Sequence, residues 1–240
     1  MSRTTTRHRV AGVLRRRALP AQVIPGLRSD IVALAQRMSS SGLSPGKSGN
    51  FSARVDGGML ITPTGIAYQE MKASDIVEVR ADGKVSPGQR VASSEWKVHL
   101  AIYKARADAG AIVHTHSLNA TALSCLHRGI PAFHYMVAEF GGHRVVCAPY
   151  ATYGSDELAR HALKALGVRD ACLLANHGAV TIGDNLRQAF ERAVNLEALA
   201  SQYARALQIG RPRILGSREM TRVLEKFKTY GRQIEVGAKS

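Results

Sequence analysis

The chain has 240 residues, of which 45% are hydrophobic, enough for one sizeable core; no apolar run approaches the roughly 20 residues that cross a bilayer, which excludes a helical membrane protein. The formal net charge is +15, but seven arginines (Arg3, Arg7, Arg9, Arg15, Arg16, Arg17 and Arg28) precede the first acidic residue, Asp30, so about half of the excess sits in an N-terminal arm. Three cysteines, Cys125, Cys147 and Cys172, odd in number and without a CxxC pair, read as reduced thiols of a cytoplasmic protein.

In chain order, residues 1–28 are expected to be a basic, disordered extension. Its Arg-rich, acid-free composition also suits a transit peptide or weak RNA contact, but no nucleic-acid partner is expected for the rest. Residues 29–240 contain no linker and no repeat, and read as one domain. Ile31, Leu34, Ala35 and Met38 have i, i+3, i+4, i+7 spacing, so residues 29–41 should form an amphipathic helix stopping at Gly42. In GKSGNFSARVDGGMLITPTG, two strands meet at Asp56-Gly57-Gly58, a hairpin signal. Further helices are predicted near 94–108, 155–167, 184–208 and 218–229, and strands near 76–79, 111–116, 144–147 and 171–182. Hairpins mixed with helices argue for an α/β fold with a mostly antiparallel or mixed sheet rather than regular βαβ winding. No P-loop and no GxGxxG occurs.

The stretch AIVHTHSLNA sets two histidines two apart at the end of an apolar run. In a strand, His114 and His116 project from one face, side by side, where they can share a metal. LLANHGAVTIG offers a third, His177, after an apolar run and before a glycine that lets the backbone turn. Three histidines with a vacant fourth position is a catalytic zinc arrangement, one ion per subunit, although cobalt or manganese fits the same ligands. In SSEWKVHLAIYKA, Glu95 lies where a helix should begin; its carboxylate can serve as a base beside the metal, while Ser93, Ser94 and the N–H groups of the helix start form an anion site suited to phosphate. Trp96 and His99 read as packing residues.

Taken together, GNFSAR, MLITPTGIAY, SSEWKVH, VHTHS, IPAFHYM, CAPYATYG, NHG and LEKFKTYG resemble, in order over about residues 30–232, the class II aldolase/adducin family, and within it the bacterial fuculose-phosphate aldolases. The resemblance implies a three-layer α/β/α domain and a homotetramer with active sites between subunits. It implies zinc held by His114, His116 and His177, with Glu95 ligating in the resting enzyme and then moving protons. Asn50, Thr64, Gly65, Ser93 and Ser94 match the phosphate pocket. Tyr135 matches a tyrosine that protonates the leaving aldehyde oxygen, and Tyr230 one that reaches a neighbouring site. The activity implied is cleavage of a ketose 1-phosphate, L-fuculose 1-phosphate foremost, to dihydroxyacetone phosphate and a short aldehyde such as L-lactaldehyde, through a metal-stabilised enediolate.

Departures from that pattern are Asn176 in NHG and Tyr153 in ATYG, where Tyr153 adds a hydroxyl near the expected aldehyde tail. Glu139 is expected to place a carboxylate close to the site. Salvage aldolases for 5-deoxyribulose or methylthioribulose 1-phosphate fit the same motifs. Phosphopentose 4-epimerases and sugar-phosphate dehydratases share the metal frame, and an adducin-like binding module shares the fold without the chemistry.

Overall fold

The computed structural model describes residues 24–229; most of the arginine arm and Tyr230 lie outside the described residues. Helix α1 (Ile24–Ser40) begins before the expected residue 29. Pro25 has no N–H to lose in a first turn, and Leu27 extends the buried stripe of Ile31, Ala35 and Met38 one turn back.

Seven strands follow, β1 (Asn50–Val55), β2 (Gly58–Ile61), β3 (Val77–Arg80), β4 (Ala111–Thr115), β5 (Val146–Ala148), β6 (Ala171–Leu174) and β7 (Gly178–Gly183). They form one sheet in the order β3-β2-β1-β4-β7-β6-β5. Only the β5/β6 pair is parallel, so the sheet is mixed and mostly antiparallel, as expected. The β1/β2 hairpin turns through Asp56 and Gly57, with Val55 and Gly58 as its last pair. The remaining helices are α2 (Trp96–Ala105), α3 (Leu118–Cys125), α4 (Asp156–Leu166), α5 (Leu186–Ile209) and α6 (Ser217–Phe227).

The strands bury both faces. On one, Ile112, Leu174, Val180 and Ile182 pack against Val98 and Ile102 of α2 and Leu158 and Ala162 of α4. On the other, Phe51 and Val113 meet Ile31 and Met38 of α1 and Phe190 of α5, while Leu173 and Ala179 meet Leu123 of α3, Leu199 of α5 and Met220 of α6. The result is three layers. Among the described residues no helix is long and apolar enough to cross a membrane.

Two differences from the sequence expectation bear on the site. The strand expected over 171–182 is two antiparallel strands, β6 and β7, because Asn176 takes a left-handed backbone (φ 52°) and breaks the run. Helix α3 was not anticipated: LNATALSC is mostly small residues and shows no apolar stripe, so its helicity comes from packing on α5 and the sheet.

Candidate metal centre and active site

Strand alternation does what the HTH spacing predicts. Ile112 faces α2 and α4 whereas Ala111 and Val113 face the opposite layer, so His114, two residues beyond Ile112, points toward α2. Its pair partner on β1 is Asn50. His116 follows the end of β4, its N–H donating to Ser44 Oγ at 3.0 Å. His177 sits in the turn between β6 and β7. Gly178 keeps that turn close to β4, since a Cβ there would collide with the Thr115 carbonyl and stand 3.0 Å from His116 Cδ2.

Glu95 immediately precedes α2 and does not cap it. Its carboxylate turns to the histidines instead, with Oε2 at 2.9 Å from His114 Nε2 and Oε1 at 3.2 Å from His177 Nε2. Asn50 Nδ2 donates to Oε2 at 3.0 Å. The N–H groups of Glu95 and Trp96 are already taken by the Ser93 hydroxyl and carbonyl. Those two N–H groups, expected to help bind an anion, are therefore already occupied.

The donor set fits a metal. One ligand atom each from Glu95, His114, His116 and His177 lies within 4.8 Å of the others. His114 Nδ1 donates to the Ala179 carbonyl at 2.9 Å, which turns Nε2 inward, where it donates to Glu95 when protonated and offers a lone pair to a metal when not. That Nε2 stands only 2.9 Å from His116 Nε2; two bare imidazole lone pairs repel at this distance unless a proton or cation lies between them. Burial, aided by the neighbouring His114, pushes His116 down to about 3 and His177 down to about 4, so both are neutral donors. Burial opposes charge on Glu95 and His114 alike, but their mutual attraction and hydrogen bond win, holding Glu95 below the carboxylate range and raising His114. Three imidazoles and a carboxylate are ligands suited to zinc.

A cavity of about 350 Å³ opens over this cluster, lined by Glu95, His116 and His177 together with Asn50, Thr64, Ser93 and Ser94. Gly65 is not part of the lining. Asn50 Oδ1, buried, has no hydrogen-bond partner among the described residues. Sequence reasoning missed Lys47, Ser48 and Tyr150, which share the lining. The cation and glycines of GKSGN were the available signal for Lys47, but their position depends on Tyr68, whose buried hydroxyl donates to the Ser48 and Gly49 carbonyls at 2.9 and 2.6 Å. Tyr153 does line the cavity, as its place in ATYG suggested.

Two expected residues are elsewhere. Tyr135 stacks on His134 and faces Phe227 in a separate groove of about 850 Å³ between the 3-10 turn Tyr135–Phe140 and α6. Glu139 turns away onto α5, where Asn195 Nδ2 donates to both carboxylate oxygens at 2.9 and 3.1 Å. His99 is a packing residue as read, fully buried with Nδ1 at 2.6 Å from Ser52 Oγ.

Comparison with known proteins gives a match to the Class II Aldolase and Adducin N-terminal domain over residues 29–204. The 5-methylthioribulose-1-phosphate/5-deoxyribulose-1-phosphate aldolase of Rhodospirillum rubrum is 49% identical over 205 residues, spanning 85% of this chain and 92% of that one. The L-fuculose phosphate aldolase of Escherichia coli is 46% identical over 210 residues, spanning 87% and 97%. A solved L-fuculose 1-phosphate aldolase superposes with a TM-score of 0.81 at 41% identity, covering 84% of this chain and 96% of the other.

Proposed function

The chain belongs to the class II aldolase and adducin family, and on that premise we propose that it is a metal-dependent aldolase cleaving a ketose 1-phosphate to dihydroxyacetone phosphate and a short aldehyde. The observation that carries this is the convergence of Glu95, His114, His116 and His177 at the floor of a cavity edged by Lys47 and serine and threonine hydroxyls. All four donors are filled, which a non-catalytic binding module does not need.

The three histidines with Glu95 would hold zinc, which would supply Lewis-acid stabilisation of the negative charge that develops on the substrate's oxygens when its carbon–carbon bond breaks. The chain's own residues do the rest. Asn50, Thr64, Ser93 and Ser94, with Gly65 shaping the loop and Lys47 at the rim, hold the phosphate and fix the ketose's orientation. Glu95 returns a proton to the carbon left electron-rich by cleavage, once its grip on the histidines is released. Cleavage turns the hydroxyl on the far side of the breaking bond into the aldehyde carbonyl, so that oxygen must lose its proton; Tyr135, as tyrosinate, takes it, and in the bond-forming direction gives it back to the alkoxide. Because Tyr135 lies outside the cavity of its own subunit, it would act at a neighbour's site, in a tetramer whose C-terminal Tyr230 does likewise. Three free thiols suit a reducing cytoplasm.

L-Fuculose 1-phosphate is the first substrate proposed. The 49% identity to the Rhodospirillum rubrum enzyme favours a second, 5-deoxyribulose or methylthioribulose 1-phosphate, whose uncharged aldehyde tails would meet Tyr150 and Tyr153. The test is release of dihydroxyacetone phosphate by zinc-loaded protein from each of these three. Release abolished by a chelator is expected, and the ranking of kcat/KM names the aldehyde. Failure to release it from all three, with zinc bound, would transfer the site to epimerase or dehydratase chemistry.

A further inference from the structure

The turn carrying His177 has a backbone irregularity shared with one other place. Among the described residues, only His127 (φ 51°) and Asn176 (φ 52°) combine a positive φ with a side chain. The two are bonded to each other: His127 Nε2 donates to Asn176 Oδ1 at 2.6 Å. Backbone of this kind persists where its surroundings over-determine it, often at a functional site.

The surroundings here are the C-terminal end of α3. The Ser124 carbonyl accepts from the N–H of His127 at 2.9 Å and also from the N–H of Asn176 at 3.2 Å. The Ser124 hydroxyl donates to the Thr121 carbonyl at 2.8 Å, which orients a lone pair to accept from the His177 N–H at 3.3 Å. Ser124 is fully buried. Helix α3 starts directly after His116, with Ser117 as its N-cap residue, so this one short helix links the chain just past one metal ligand to the turn holding another.

We propose that Ser124, His127 and Asn176 form a clamp that positions His177 and thereby sets the affinity of the metal site. None of the three is among the four donors; each acts through the backbone of the turn, as positioning residues. The inference rests on the metal centre proposed above.

The test measures the zinc dissociation constant by competition with a chromophoric chelator on the purified full-length protein. Asn176→Ala removes the bond and keeps the left-handed requirement, and should weaken zinc by about 10–100-fold, the range for partners one step removed from a ligand. Asn176→Asp, which keeps the acceptor and tolerates the same backbone, should recover most of that loss. His127→Ala, at an exposed side chain and with the same left-handed backbone retained, should weaken zinc in the same direction, and carries the test if Asn176→Ala does not fold. The double variant should be no weaker than Asn176→Ala, because both changes delete one interaction, whereas independent effects would add. Parental affinity in His127→Ala and Asn176→Ala, or full additivity in the double variant, would overturn the clamp. A parent protein that binds no zinc would overturn the metal centre itself along with the clamp.

Discussion

Two carboxylates withdrawn from water, Glu95 and Glu139, are set in opposite directions by what faces them. Burial raises both, but Glu95 meets His114, His177 and Asn50 and ends below its ordinary range, whereas Glu139 meets mainly Asn195, with Arg192 helping and Glu191 opposing, and ends above its ordinary 4.5. The first is poised as an anion beside a cation site; the second has no such site. A carboxyl raised in the folded state contributes stability that is fully present below its unfolded value and is lost as pH rises through its folded value. Glu139→Gln, which stays neutral, should therefore gain on the parent as pH rises from about 4 to about 8, read from urea midpoints across that window. An unchanged difference between the two proteins across the window would mean that Glu139 ionises without cost. The sequence let Glu95 be set beside the metal but set Glu139 near it as well, and the contrast becomes visible only when α5 is placed against Glu139.

At the level of elements, the legible parts of the site were those fixed by a local period. His114 and His116 could be paired from strand alternation alone, and His177 from its place after an apolar run. The break at Asn176 was hidden because apolar residues flank it on both sides, so β6 and β7 read as one strand; only their antiparallel pairing makes the turn necessary. The glycine after His177 is what allows β7 to approach β4 so closely. Gly178→Ala would drive a Cβ into the Thr115 carbonyl and against the His116 ring, prising apart the strand pair that aligns two ligands. Overpacking of this kind costs about 1–3 kcal/mol. The expected result is a lower urea midpoint in the chelated protein together with weaker zinc binding. A variant with parental values for both would show that the β4/β7 spacing has slack to give.

For the whole molecule, the open question is where Tyr135 works. The family motif identifies it, yet the fold of one chain sends it to the groove beside α6, away from Glu95 and the three histidines. No reading of local pattern could have located it, since that groove forms only where α6, far along the chain, packs beside the Tyr135–Phe140 turn. If neighbouring subunits complete each other's sites, two separately inactive proteins should rescue one another. Glu95→Gln leaves Tyr135 intact and Tyr135→Phe leaves Glu95 intact; each alone should lose most turnover, on the order of 10²-fold for a missing acid or base. After unfolding and refolding of an equal mixture, about a quarter of the sites should pair an intact Glu95 with an intact Tyr135 from the adjoining subunit, if closed ring symmetry makes every such pairing equivalent. Activity well above the sum of the separately refolded variants is the expected outcome, accompanied by a species about four times the mass of the chain by sedimentation. If the mixture stays as inactive as its components while forming that species, Tyr135 acts within its own subunit or not at all; in the second case the proton exchanged with the aldehyde oxygen passes through another group of the cavity, whose lining includes Tyr150 and Tyr153.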